Sequence, residues 1–279
     1  MTGASSATAM PRLLSVDHGD PEGRGGIAFD LKLATACGVY AASTVTAIVA
    51  DGEAMPVPAD IVGGQLRAVM EDIGADALRI GRVTETDQLL AVSEVVEHLG
   101  HGVPLILDPV LVDATGRHLM NRDALQVLKA RLVVRAQALI LDLAAAEVMV
   151  GREIRHVDGL IDAVATLASL GPEQVVVAGG PAFGIAMLAD DDIDLIADEG
   201  LAAGPLGGPP IGLATAVAMG AIRGLDARRS WRHHAELIRA TVAADPAARA
   251  AAGSHPSTDL HAAFRAVTPD DPAGEETCP

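Results

Sequence analysis

Three segments of the sequence place glycine and acidic residues directly after short apolar runs. They read DHGDPEGRGGIAFDLK (17–32), LDPVLVDATG (107–116) and AGGPAFG (178–184). The first carries Asp30 one turn inside a helical pattern, and the second places Asp108 at the end of its apolar run. Taken singly, such a segment is typical of an ordinary turn or a helix cap. Their order and spacing together indicate a small-molecule site, because ligands of open parallel sheets bind beyond the carboxyl ends of the strands.

A fourth segment, GGPPIGLATAVAMGA (207–221), has the glycine pair that often opens a phosphate-binding helix. Free N–H groups and the positive end of the helix dipole favour an anion at such a turn. Pro209 and Pro210 stand where these donors are needed, and proline has no N–H. The turn therefore predicts weak phosphate binding, or none.

Alternating strand and helix patterns position these segments. Short apolar runs predict strands over 13–16, 45–50, 77–81, 103–108, 138–142 and 175–178. Helical periodicity predicts helices over 27–36, 59–73, 86–100, 121–131, 157–170, 213–223 and 233–243. Two further strands over 184–188 and 193–197 flank the acidic turn ADDD and read as antiparallel. The prediction is an α/β fold whose mostly parallel central sheet has an antiparallel edge.

Composition excludes several classes of protein. A formal net charge of −17 argues against nucleic-acid and anionic-membrane partners, since both require a basic surface. The apolar runs are too short to span a bilayer, and the first residues lack a signal-peptide pattern, so we expect a cytoplasmic protein. Two cysteines provide neither a disulfide framework nor a zinc site. We expect a disordered N-terminus over 1–11, one domain over 12–267 and a disordered acidic tail over 268–279.

The chain resembles a known family in three quoted stretches. They are GDPEGRGGIAFDLKLATACGVYAASTVTAIVADG, VMEDIGADALRIG and LILDPVLVDATGRHLM. They are similar to the hydroxymethylpyrimidine and phosphomethylpyrimidine kinases of thiamine biosynthesis, from about residue 13 to about residue 224. The resemblance implies a ribokinase-like three-layer α/β/α sandwich, a homodimer, and magnesium ATP as the phosphoryl donor if kinase activity is retained; no other cofactor is expected.

The resemblance also implies an acceptor side, with the pyrimidine against the first glycine-rich loop. Two positions there are altered. Asp51 replaces a glutamine of the family's A-Q-N-T stretch, and Arg82 replaces an apolar methionine of K-I-G-M-L. The pocket is thus changed in charge and in shape. The implied substrate-binding residues are His18, Gly19, Asp30, Asp51, Arg82 and Val110.

On the implied nucleotide side, several of the family's residues are replaced. Ile211 occupies the catalytic Cys or Asp position of the G-T-G-C or G-x-G-D turn, so no catalytic residue and no metal ligand is assigned. Ala178 stands where the family has lysine, and Ala145 where its N-x-x-E motif has glutamate. The residues assigned to this side are Asp108, Asp142, Ala178, Gly179, Gly180 and Gly208.

Three hypotheses about function follow. The first is a small-molecule binder with a pyrimidine-like ligand and deficient phosphoryl transfer. The second is an active kinase that uses displaced residues, with Asp108, Asp142 or Glu147 as the base. The third is a non-enzymatic interaction protein that retains the fold for its surface.

Overall fold

The computed structural model describes residues 10–21, 23, 25–50, 53–113, 115–179, 184–189, 192–196 and 212–233. Asp51, Gly180, Gly208 and Ile211 lie outside these residues, as do most of the two predicted disordered ends.

A mostly parallel sheet forms the centre of the described structure. Its nine strands lie in the order β3-β2-β1-β4-β5-β6-β7-β8-β9. The pairs from β2 through β7 are parallel, whereas β3 at one edge and β8 and β9 at the other are antiparallel. The predicted antiparallel edge is thus confirmed, and the opposite edge is antiparallel as well. The strands are β1 (Arg12–Gly19), β2 (Tyr40–Ala50), β3 (Glu53–Pro56), β4 (Ala77–Ile80), β5 (Leu105–Leu107), β6 (Ala138–Asp142), β7 (Gln174–Ala178), β8 (Ile185–Ala189) and β9 (Asp192–Ile196).

Helices cover both faces of the sheet. Side chains alternate along each strand, so that in β6 Leu139 and Leu141 face one core cluster while Ala138 and Ile140 face the other. The first cluster includes residues of α2 to α6, and the second includes residues of α1, α7 and α8. This confirms the three-layer α/β/α arrangement. The helices are α1 (Gly26–Ala36), α2 (Ala59–Asp72), α3 (Thr86–Leu99), α4 (Arg122–Val127), α5 (Leu143–Val150), α6 (Val157–Ala168), α7 (Leu213–Ala221) and α8 (227–233).

Four elements differ from the sequence prediction. The strand β3 and the helix α5 were not predicted, because β3 has only four residues and α5 follows β6 without a turn. The helix predicted over 121–131 is α-helical only to Val127 and continues as a π turn over Leu128–Leu132. The last described helix covers residues 227–233, where none was predicted, and its Trp231 is buried; the helix predicted over 233–243 lies outside the described residues except for residue 233. Among the described helices, none combines the length and apolarity needed to cross a membrane.

The burial of the β6 side chains generates a first prediction. Leu139 in β6 is fully buried, whereas Leu90 on α3 keeps 40% of its surface exposed. We expect Leu139→Ala to lower the free energy of unfolding by about 2–5 kcal/mol, because it leaves a cavity in a packed core. Leu90→Ala, the matched control, should cost less than about 1 kcal/mol. Urea unfolding followed by circular dichroism measures both, and equal losses would contradict the assigned burial.

Candidate active site

A charged residue lies inside β4, a parallel strand whose four residues are all buried. Arg79 is only 7% exposed, and the guanidinium is paired on two of its nitrogens. Its Nη1 donates to Asp17 Oδ2 and, over 2.9 Å, to Asp30 Oδ2, while its Nη2 donates to Asp108 Oδ2 over 2.8 Å. We call Arg79 and these three aspartates the Arg79 cluster.

The three carboxylates come from separate parts of the fold. Asp17 belongs to β1, Asp30 to α1, and Asp108 follows the end of β5. Because β1, β4 and β5 are neighbouring parallel strands, their side chains converge at one edge of the sheet. One guanidinium therefore joins the consecutive elements β1 and α1 to β4 and to the loop after β5, which lie much later in the sequence.

Asp17 is held by hydrogen bonds on both oxygens. Its Oδ1 accepts from the backbone N–H of His18 over 2.7 Å and from that of Arg82 over 2.9 Å. The His18 ring Nδ1 also lies 2.6 Å from this oxygen. Burial raises the pKa of Asp17, but the Arg79 charge and the His18 hydrogen bonds outweigh burial and hold that pKa well below its usual range. Asp17 is thus a buried anion that fixes the start of the first loop.

Both carboxylate oxygens of Asp30 also accept hydrogen bonds. Its Oδ2 accepts from Ser15 Oγ over 2.5 Å in addition to Arg79, and its Oδ1 accepts from Thr215 Oγ1 over 2.5 Å. With 2% of its surface exposed, Asp30 has little capacity for the ligand hydrogen bonds that the resemblance implies. In this arrangement Asp30 positions α1 and α7 against β1 and β4.

Two other carboxylates keep accessible oxygens. Asp108 uses Oδ2 for Arg79, and one quarter of its side chain is exposed. Burial raises the pKa of Asp108 to about 6, against the opposing charge of Arg79. Asp142 caps α5 through a 2.6 Å bond from the Ala145 N–H to Oδ1, and burial raises the pKa of Asp142 as well. Within the described part of the chain, Asp108 Oδ1 and Asp142 Oδ2 accept no hydrogen bond.

These residues line a cavity of about 200 Å³. It lies beyond the carboxyl ends of β1, β5 and β6, where the sequence analysis placed the site. Phe29 and Val110 provide apolar surface, and Gly26 and Gly212 let the backbone approach closely. Both glycines have positive φ (57° and 83°), and a Cβ on Gly26 would overlap the His18 carbonyl oxygen. The cavity lining is Asp17, His18, Gly25, Gly26, Phe29, Asp30, Arg79, Asp108, Pro109, Val110, Asp142, Gly212 and Ala214.

The structure brings together some of the predicted site residues and not others. His18, Asp30, Val110, Asp108 and Asp142 all line the cavity. Gly19, Arg82, Ala178 and Gly179 are not among the lining residues. Arg82 contributes its backbone N–H to Asp17, and burial lowers the pKa of its side chain. The arginine in the described cavity lining is therefore Arg79 and not Arg82.

Sequence reasoning did not assign a role to Arg79 or Asp17. A signal was present, since a charged residue inside the apolar run ALRI must be paired if that run is a buried strand. Thr215 gave no comparable signal, because 185 residues separate it from Asp30.

The described residues meet only part of what the magnesium nucleotide implied by the resemblance requires. Asp108 and Asp142 offer two carboxylate oxygens, and one or two carboxylates together with substrate phosphates and water are what Mg²⁺ usually takes. The phosphates would need further positive charge. The guanidinium of the lining is already shared by three carboxylates, and Ala178 is apolar and 2% exposed. Nothing among these groups would neutralise a polyphosphate.

Gly81, which lies directly beside the Arg79 cluster, generates the second prediction. A Cβ on Gly81 would overlap Asp17 Oδ2, whereas a Cβ on Gly64 in α2 would meet nothing within 4 Å. We expect Gly81→Ala to destabilise the protein by about 2–4 kcal/mol, because it separates buried charges. Gly64→Ala should stabilise α2 by about 0.5–1 kcal/mol. Thermal and urea unfolding distinguish the two, and a neutral Gly81→Ala would contradict the close contact with Asp17.

The third prediction concerns pH. Because the pKa of Asp108 is raised from 3.8 to about 6 on folding, the folded state binds more protons than the unfolded state between these values. Its contribution to stability is present below about pH 4 and is lost as pH rises through 6. Relative to Asp108→Asn, the wild-type protein should lose about 2 kcal/mol of unfolding free energy over this interval.

Urea unfolding at half-unit steps from pH 4 to pH 7 measures this difference. Asp162→Asn, at an exposed position of α6, is the control and should follow the wild-type profile. A constant difference between wild type and Asp108→Asn across the interval would refute the assignment.

Curated proteins include relatives that are similar in sequence. The hydroxymethylpyrimidine/phosphomethylpyrimidine kinase of Mycobacterium tuberculosis is 33% identical over 175 residues, 61% of this chain and 64% of that protein. The match thus spans less than two thirds of that relative's length. The enzyme of the same name from Streptomyces coelicolor is 29% identical over 203 residues, covering 71% of this chain and 72% of its own.

Solved structures share the fold. Phosphomethylpyrimidine kinase from Clostridium difficile has a TM-score of 0.67 at 24% identity, covering 79% of this chain and 94% of that one. Bacillus subtilis pyridoxal kinase has a TM-score of 0.71 at 22% identity, covering 84% and 92%. The fold is accordingly ribokinase-like. The family model described as phosphomethylpyrimidine kinase matches residues 20–256, well over half of the chain. The chain therefore belongs to the phosphomethylpyrimidine kinase family.

Proposed function

We propose that this protein binds a small pyrimidine-like ligand and has little or no ATP-dependent phosphoryl transfer. The observation that carries the proposal is that the guanidinium of Arg79 is already paired with carboxylates. The guanidinium of the cavity lining is paired with three carboxylates and has no charge left for a phosphate.

Loss of donors and cations bears directly on this reaction. Phosphoryl transfer relies on positioning and on stabilising negative charge at the transferred group. Removing one preorganised donor typically lowers the rate by about 10²–10³-fold. Here Ala178 offers no charge at the end of β7, and the sequence at 208–211 contains two prolines and Ile211. Several such losses together support a large reduction in rate.

The size of the cavity supports a small ligand. Its volume of about 200 Å³ lies below the roughly 300–1,000 Å³ typical of sites for drug-sized ligands. A cavity of about 150 Å³ can hold benzene. The described cavity is therefore suited to one six-membered ring with small substituents.

One observation favours the alternative of an active kinase. Asp108 has an accessible oxygen and a pKa of about 6, close to the value expected of a general base near neutral pH. An active enzyme would use this carboxylate to accept the proton of the substrate hydroxyl. The alternative predicts turnover that depends on Asp108.

The fourth prediction separates these functions. Purified protein is titrated calorimetrically with hydroxymethylpyrimidine, with its phosphate and with a magnesium ATP analogue, and ADP release is measured with magnesium ATP. We expect hydroxymethylpyrimidine to bind, and turnover to be at least about 10³-fold below that of the Streptomyces coelicolor relative assayed in parallel. Turnover within tenfold of that relative, abolished by Asp108→Asn but not by Asp162→Asn, would establish the kinase and overturn the proposal.

A further inference from the structure

A second cavity is lined by residues of α4, of α5 and of the segment 111–121 that joins β5 to α4. Its volume of about 740 Å³ lies within the roughly 300–1,000 Å³ typical of small-molecule sites. It shares no lining residue with the cavity beside Arg79. We call it the α4–α5 groove. Its apolar lining consists of Leu111, Val112, Met120, Leu125, Ala144 and Val148.

Two arginines of the groove lining have side chains without a partner. Arg122 lies in the first turn of α4, and Arg152 follows the end of α5. Neither guanidinium forms a hydrogen bond or an ion pair with any residue in the described ranges. Arg117, Arg131 and Arg155, by contrast, each contact a carboxylate. In a chain of net charge −17, where acids outnumber bases, two unpaired guanidiniums at one apolar groove indicate an anionic ligand.

The two acidic residues of the lining already have partners. Glu153 forms an ion pair with Arg155 over 2.5 Å. Glu147 Oε1 accepts a hydrogen bond from the backbone N–H of Ile154 over 2.7 Å, which holds this carboxylate against the chain that follows α5. In the described lining, the charged groups that lack a partner are therefore the two arginines.

The end of α5 beside the groove does not oppose an anion strongly. The last carbonyl groups of a helix form the negative end of its dipole, and a cation or an N–H donor there offsets that charge. Lys129 Nζ donates to the Met149 carbonyl over 2.7 Å, and the Gly151 N–H donates to the Glu147 carbonyl over 2.8 Å. An anion near Arg152 thus meets a helix end whose carbonyls already have donors.

We propose that the α4–α5 groove binds a small organic anion with an apolar body, such as an aryl or acyl carboxylate. The apolar lining contacts the body, and Arg122 and Arg152 donate to the carboxylate, since a guanidinium matches the geometry of a carboxylate. A mostly apolar pocket with a few charged groups is the usual arrangement of a small-molecule site. The inference does not depend on the proposed function, because the two cavities have separate linings.

The fifth prediction tests this site with a matched pair of probes. The compounds 2-naphthoate and 2-naphthamide have nearly the same shape, but only naphthoate is an anion at neutral pH. By calorimetry on the full chain near neutral pH, we expect naphthoate to bind at least about tenfold more tightly than naphthamide. The preference should decrease when sodium chloride is added, because salt screens exposed charges.

Variants connect the preference to the groove. Arg122→Gln and Arg152→Gln should each reduce the preference for naphthoate at least about threefold. Arg67→Gln, at an exposed position of α2 outside the lining, is the matched control and should leave it unchanged. Ala144→Phe fills the groove and should weaken both probes at least about tenfold. Circular dichroism melts confirm that each variant is folded.

Several results would overturn the inference. They are equal binding of naphthoate and naphthamide, no binding of naphthoate, or the same loss of preference in Arg67→Gln as in Arg122→Gln. Binding of hexaglutamate without binding of naphthoate would also overturn it and would assign the groove to an acidic protein segment. Arg122→Gln and Arg152→Gln should bind hydroxymethylpyrimidine as the wild type does, so failure of the proposed function and failure of this inference are distinguishable.

Discussion

The burial of one guanidinium constrains the whole carboxyl edge of the sheet. A charge taken out of water is costly unless it is paired and hydrogen-bonded, and Arg79 meets this requirement with three aspartates. Those aspartates come from β1, α1 and the loop after β5, so the position of each element depends on the others. Gly81 is part of the same constraint, because a side chain there would overlap Asp17.

The cluster also reaches α7, which lies in the same helical layer as α1, through Asp30. Thr215 in α7 donates to Asp30, and Ser15 in β1 donates to its other oxygen. The start of α7 is thereby fixed against α1, where Gly212 packs at a positive φ close to Phe29. The shape of the cavity between these elements consequently depends on hydrogen-bonded charge pairs as well as on apolar packing.

The same pairing limits the chemistry of the site. The guanidinium of Arg79 is already shared by three carboxylates and so offers little positive charge to a phosphate, and Asp142 adds a fourth carboxyl group to the cavity lining. The family and the ribokinase-like fold are retained, while the described cavity lining has four carboxyl groups and one guanidinium. Fold and activity are separable in this way because a fold supports many sites and the site determines the chemistry.

The sequence by itself determined the architecture and the edge of the sheet at which the cavity lies. Strands buried on both faces of a parallel sheet must be apolar throughout, and the helices that cover the sheet must be apolar on one side. The two patterns alternate along the sequence, so the order of strands and helices was largely predictable. Asp108 was also found from sequence, because it lies at a strand end, and His18 and Asp142 were found from the resemblance to the family; all three line the cavity. Only the tertiary structure decided that Arg79 rather than Arg82 faces the cavity, and that Asp30 is saturated by Ser15, Thr215 and Arg79. These contacts join residues 15 to 185 positions apart, and such distant pairings are set by packing rather than by local pattern.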